Sequence, residues 1–344
     1  MTISPSVLER EAERLFLVLM HVQCQPGRTW TIELCREIAP LTHEIRLLKE
    51  ERNAVILAHS YVTPEVVYGV ADFKSDSYAL SLEAREAKAD IIVFAGVIFM
   101  AETAKILAPS STVLIPDTGS GCSLADSLTA RDLRKLKSAH PEAAVVCYIN
   151  SSAEVKAESD VCVTSSNVYT IIERLPQRKI LFVPDRLMAE NIRKDLRRRG
   201  VAKEVVSSDG TCVVHEQFST ELIETERQRY PGLKVVSHPE CTTDVTDHSD
   251  FVGSTGSMMK FVHDTAAEYF MILSECGLVS RLEAENANKS FIGSCRLCPF
   301  MKLNDLRKIC DVLKSPRPEQ IVEIPERIRA RAKRSIDRMF ELTH

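Results

Sequence analysis

Three segments of the chain repeat one pattern at a fixed interval, and no other feature restricts the fold as tightly. VILAHSYVTPEVVYGVADFKSDSYAL starts at Val55, VVCYINSSAEVKAESDVCVTSSNVYT at Val145 and VVSHPECTTDVTDHSDFVGSTGSMMK at Val235, each 90 residues after the last. In every copy a β-branched apolar run, read as a buried strand, ends in a polar triplet: His59-Ser60-Tyr61, Tyr148-Ile149-Asn150 or His238-Pro239-Glu240. An aspartate follows at 72, 160 and 250. Five residues beyond each stands Ser77, Ser165 or Thr255, in the composition of a helix N-cap. Further apolar strands begin at Asp90, Lys179 and Glu268, a third strand follows, and at or after its end comes Cys122, Cys212 or Cys298.

Strands and helices alternating at this length predict parallel βαβ layers, whose ligand sites lie at the carboxyl ends of the strands. The expected fold is therefore α/β: three αβα three-layer units, related by pseudo-threefold symmetry, with parallel sheets around a central cavity. The expected boundaries are N-terminal helices over 1–53, repeats over 54–143, 144–233 and 234–317, and a C-terminal helix over 318–344.

With 344 residues, 44% of them hydrophobic, the chain can bury a large core. Its net charge of -4 argues against a surface built throughout for nucleic acid. The run LFLVLM at 15–20 is too short to span a bilayer and follows EREAER rather than a cationic leader. The expectation is a cytoplasmic protein with no membrane partner. Eleven cysteines, an odd number spread over the chain, indicate reduced thiols rather than a disulfide framework.

Three cysteines at equivalent places suit a soft metal centre held by thiolates. An iron–sulfur cube with only three protein ligands keeps an open iron that can act as a Lewis acid. His59, Tyr61, Tyr148, His238 and Glu240 can move protons. Ser77, Ser165 and Thr255 at helix starts can receive anionic groups, a set suited to a substrate with several carboxylates or a phosphate. Cys24, Cys35, Cys147, Cys162 and Cys310 lack matched partners and read as packing residues. Of Cys295 and Cys298, the repeat spacing and the adjacent Pro299 favour Cys298 as the third ligand.

The runs ILAHSY, GCSLAD, YINSSAEVKAESD, VTSSN, GTCVVHE, HPEC, VGSTGSM and CPFMK occur in this order, and with their neighbours cover roughly residues 55 to 305. In them the chain resembles the quinolinate synthases, the NadA family of NAD biosynthesis. The resemblance implies a [4Fe-4S] cluster on Cys122, Cys212 and Cys298. It also implies condensation of iminoaspartate (iminosuccinate) with dihydroxyacetone phosphate, releasing phosphate and water; the enzyme supplying iminoaspartate would be a possible partner. Substrate contacts would fall on His59, Ser77, Tyr148, Ile149, Asn150, Ser165, His238, Pro239, Glu240 and Thr255, with His59, Tyr61 and Glu240 catalytic. The sequence departs from the family at Ser60, commonly Asn or Tyr, at Val62, commonly Gln, and at Ser75, commonly Gly, where a glycine-like backbone is expected.

Two other readings stay open. Cys212-x2-His215, His238-x2-Cys241 and Cys295-x2-Cys298 have zinc-pair spacings. A redox regulator could use the basic C-terminal segment ERIRARAKRSIDRMFELTH against nucleic acid, although that segment reads better as a solvated helix face.

Overall fold

The structure is a computed structural model that describes residues 4–25, 28–293 and 295–343. It divides into two compact units: Met1–Ser120 with Cys276–Lys289 and Leu297–Glu323, and Gly121–Glu275 with Ser290–Arg296 and Ile324–His344.

The first unit holds a four-stranded parallel sheet in the order Phe73–Ser75, Ala54–His59, Ile91–Ala95, Thr112–Leu114. Helices Pro5–Leu19 and Ile32–Glu51 pack through Ala12, Leu15, Leu19, Cys35 and Ala39. The buried Glu11 lies between them, and its carboxylate accepts from Arg14, Thr42 and Arg46 at 2.7–2.8 Å. That satisfies a charge that would otherwise be costly to bury.

The second unit holds two more parallel sheets. One runs Glu204–Ser207, Lys179–Val183, Ala144–Tyr148, Val161–Val163; the other runs Phe251–Val252, Lys234–Ser237, Tyr269–Leu273, Ser290–Phe291. All three sheets follow one plan, with each repeat's first strand second from one edge. The sheets are flanked by helices, so the α/β class and the three αβα units expected from the repeats are present.

Each repeat has four strands where the sequence suggests three. The additional strands, Phe73–Ser75, Val161–Val163 and Phe251–Val252, have only two or three residues, too few to carry a period-2 signal. The repeated aspartates place them. Asp72, Asp160 and Asp250 each accept, through Oδ2, from the backbone N–H of Ile56, Val145 and Val235 at 2.7–2.9 Å, and each returns its own N–H to the same residue's carbonyl. This aligns Ile56, rather than Val55, with Val145 and Val235. His59, Tyr148 and His238 then occupy the same strand position, three residues on.

Helix caps also differ from expectation. Asp76 caps Ser77–Glu86 and Ser254 caps Thr255–Asp264, so Ser77 and Thr255 are the first helical residues rather than the caps. Ser165 lies in a turn before Val168–Arg174, which Asn167 closes by accepting from Thr164 N at 2.7 Å. Ser75 sits in a short strand with no left-handed backbone; among described non-glycine residues only Asn53 has positive φ. The strain expected at Ser75 is absent because an extended residue needs no glycine.

The C-terminal helix Glu326–Thr343 buries Ala332, Ser335, Ile336, Met339 and Phe340, one stripe at helical spacing. Ser335 donates to Lys156 O at 2.9 Å, and Asn167 donates to Thr343 at 3.0 Å, fastening the helix to the second repeat. No helix among the described residues is long and apolar enough to cross a membrane.

Candidate active site

In the second unit the chemistry gathers at the carboxyl ends of the first strands of the second and third repeats. Tyr148 ends one strand, and its hydroxyl donates to Glu240 Oε1 at 2.6 Å. His215 Nδ1 lies 2.9 Å from Glu240 Oε2 and 3.2 Å from Cys212 Sγ, while its Nε2 lies 3.2 Å from Ser274 Oγ. A carboxylate can only accept, so His215 donates to Glu240 through Nδ1. The His238 ring stacks on His215, with centroids 4.6 Å apart and planes at 22°. One connected group therefore runs from Tyr148 through Glu240 and His215 to Cys212.

All its members except Cys212 are nearly inaccessible to solvent, and burial governs their charge. Burial alone would push the Glu240 carboxyl up. The field of His215, with hydrogen bonds from His215 and Tyr148, outweighs it and holds the group well below the usual carboxylate range. Burial lowers His238 to about 3, against the opposing pull of Glu240, so its ring is neutral. His238 Nδ1 accepts from Glu240 N at 3.3 Å, which leaves the ring proton on Nε2. The same device occurs in the first unit, where His59 Nδ1 accepts from Tyr61 N at 3.2 Å and the two rings meet edge to face at 4.4 Å.

Two cysteine loops are tied together by one side chain. Ser123 donates to Thr211 O at 3.0 Å and accepts from Val213 N at 3.2 Å, bracketing Cys212 from the residue after Cys122. Gly210 has no room for a side chain: a Cβ there would lie 2.3 Å from Ser127 Oγ and 2.7 Å from Pro184 O. Glycine at this position lets the Cys212 loop lie against Pro184 and bridge to Asp185. Cys122 and Cys212 are half-buried thiols outside any disulfide. Burial and the Glu240 charge push the Cys212 thiol up, so it yields its proton most readily to a cation that binds in its place. This donor set fits a thiolate-held metal centre.

In the first unit, Cys298 is likewise a half-buried thiol outside any disulfide, and its carbonyl accepts from Lys302 N at 3.2 Å. Tyr61 O accepts from Lys302 Nζ at 2.5 Å. Cys295 is disulfide-bonded. It is therefore not joined to Cys298 and offers no thiolate. The side chain of Cys24 lies outside the described residues, whereas Cys35, Cys147, Cys162 and Cys310 are buried free thiols, as packing residues should be. The departures Ser60 and Ser75 meet: Ser60 donates from N and Oγ to Ser75 O and accepts from Arg281 at 3.0 Å.

Of the zinc-type spacings, Cys212-x2-His215 brings its side chains together. Cys212, His215 and Glu240 place their ligand atoms within 4.8 Å of one another. Cys241 turns away into an apolar cluster with Phe218, Val235 and Leu273.

Sequence reasoning did not assign roles to the residues that hold these loops. Asn191, on helix Arg186–Arg198, donates to both Pro239 O and Cys241 O at 2.8 Å and accepts from Thr246 at 2.7 Å. Lys156, fully buried, donates to Ser151 O at 2.6 Å just after the Tyr148 triplet. Asp185, also fully buried, has its carboxyl pushed well up by burial and by Glu240. Its Oδ1 caps that same helix by accepting from Met188 N at 2.9 Å. His215 was visible only as part of a zinc spacing; three residues after a repeat-matched cysteine was the signal available.

Comparisons with known proteins converge on one family. The family profile described as quinolinate synthetase A protein, NadA, matches residues 43–341. The chain is 42% identical to a quinolinate synthase of Sinorhizobium fredii over 304 residues, covering 88% of this chain and 83% of the relative. It is 44% identical to one of Xylella fastidiosa over 295 residues, 86% and 85% of the two chains. It is 41% identical to one of Prosthecochloris aestuarii over 311 residues, 88% and 94%.

Proposed function

We propose that this chain, which belongs to the NadA family of quinolinate synthases, condenses iminoaspartate with dihydroxyacetone phosphate to quinolinate, releasing phosphate and water. It is an enzyme of that family; the substrates and the metal chemistry are our reading. The single observation that carries the reading is the buried line Tyr148–Glu240–His215–Cys212, which joins a proton-transfer pair to a cysteine placed by the repeat.

In this reading Cys122, Cys212 and Cys298 hold a [4Fe-4S] cluster. When bound, it supplies a Lewis-acidic iron for the hydroxyl that departs in dehydration. The chain's own residues do the rest. Glu240 is ionised before the reaction and aims the Tyr148 hydroxyl at its Oε1. A proton taken from substrate by the phenol oxygen is matched by the phenol's own proton passing to Glu240. His215 fixes the other carboxylate oxygen and lies against Cys212. His59 and His238, each with Nδ1 occupied by a backbone N–H, can present Nε2–H to substrate oxygens. Tyr61 is a second proton-transfer group, and Ser77, Asn150, Ser165 and Thr255 contact carboxylate or phosphate oxygens, Ser77 and Thr255 from helix N-termini. The buried Ile149 and Pro239 shape the adjoining walls. The enzyme works in the cytoplasm, where another enzyme supplies iminoaspartate.

The test is anaerobic turnover with metal analysis on single variants. Cys298→Ser should lose iron and activity, whereas Cys295→Ser should keep iron; the reverse result would remove Cys298 from the ligand set. A second reading has one observation in its favour: Cys212, His215 and Glu240 are close enough to hold a single zinc ion. Zinc in place of iron and sulfide would select it.

A further inference from the structure

The basic residues of the C-terminal helix are not simply a solvated face. Two of them, Arg327 and Arg331, line a cavity of about 450 Å³ together with Arg131 and Arg134 of helix Ala130–Ala139 and Glu154 and Glu158 from the segment around helix Ala153–Ala157. None of its lining residues belongs to the candidate active site.

The four guanidinium groups are not equivalent. Arg134 donates to Glu158 Oε1 at 3.0 Å and Arg331 to Glu158 Oε2 at 2.9 Å, so this carboxylate links the two helices and engages both inner guanidinium groups while offsetting one of their two charges. Arg131 and Arg327 each lie one turn before their neighbour on the same helix. Neither has a hydrogen bond or ion pair among the described residues. The cavity therefore offers two uncommitted guanidinium forks, whose planar donors match phosphate oxygens. Glu154, also uncommitted, adds a carboxylate, which repels a bare anion but accepts from a hydroxyl. Ile328 and Ala157 add apolar wall. The volume falls within the range of small-molecule sites.

We propose that this cavity binds a small phosphate ester bearing hydroxyl groups, a nucleoside phosphate or sugar phosphate, with Arg131 and Arg327 on the phosphate and Glu154 on a hydroxyl. A nucleic-acid backbone is the weaker fit: four arginines around one small cavity, half of them paired, make no extended track on a chain of net charge -4.

The test is calorimetric titration of the full chain, prepared anaerobically, with the arginine variants below separating this cavity from the phosphate subsite of the proposed active site. The probes are adenosine monophosphate, glucose 6-phosphate, inorganic phosphate, adenosine and a short single-stranded oligonucleotide. At least one ester should bind about tenfold or more tighter than inorganic phosphate and adenosine, and Arg131→Ala and Arg327→Ala should each weaken it about tenfold or more. Glu154→Gln should weaken the ester and strengthen inorganic phosphate. Which ester binds separates the two sources. The proposal is overturned if no ester binds better than inorganic phosphate, if both arginine variants keep the affinity, or if the oligonucleotide binds more tightly than every ester.

Discussion

Tyr148 ends, and His238 directly follows, equivalent strands in sheets of the same order, yet their loops are held in different ways. The Tyr148–Ser151 loop is gripped by Lys156, a residue of its own repeat that follows it within a few positions. The His238–Cys241 loop is gripped by Asn191, reached from the preceding repeat. The repeat thus copies the scaffold, while chemistry and support have diverged. One loop can be perturbed without the other, and the line from Tyr148 to Glu240 reports on both.

The largest expected effect falls where the two loops meet. Glu240→Gln keeps the shape but replaces the ionised acceptor by an amide, and turnover should drop about 10²–10⁴-fold with metal content unchanged. Anaerobic kinetics beside iron analysis would check this; wild-type turnover would remove Glu240 from the proton path. Asn191→Ala should come next. It leaves two buried carbonyls without their donor, at about 1–3 kcal/mol each, so the chain should unfold at markedly lower denaturant.

A third effect is confined to the His238 side. Burial depresses its pKa from 6.5 to about 3, so between these values the unfolded chain binds a proton that the folded chain does not. Stability is then fully present above pH 6.5 and falls on acidification, by about 2 kcal/mol between pH 7 and pH 5. Denaturant titrations at the two pH values should show this loss in the wild type and a smaller one in His238→Gln. The smallest effect is expected on the Tyr148 side. Lys156→Met gives up the hydrogen bond to Ser151 O but also the cost of burying an ammonium, and the two should cancel to within about 1 kcal/mol. If Lys156→Met destabilised more than Asn191→Ala, the contrast between the loops would be wrong.

The parts legible in sequence are those that recur. The triplets, the aspartates and the repeat-matched cysteines stand out because three copies repeat them, and they place Tyr148, His238, Glu240 and Cys212 at strand ends. What stayed hidden acts once, or acts locally. Asn191 and Lys156 resemble any polar residues on amphipathic helices until their carbonyl partners are known. The edge strands are too short to show a period, and their aspartates read as spacing marks rather than as their anchors. Asp76 and Ser254 capped the helices in place of Ser77 and Thr255 because two adjacent residues offered equivalent oxygens, a choice that composition cannot make.

The central claim is that cysteines placed by a threefold repeat serve an iron–sulfur quinolinate synthase. The most direct test is to prepare the protein anaerobically, determine iron, sulfide and zinc, and assay quinolinate formed from iminoaspartate and dihydroxyacetone phosphate before and after iron chelation. The expected result is iron and sulfide in equal amounts, little zinc, and quinolinate formation that disappears with the iron. Full activity in iron-free protein would contradict the account.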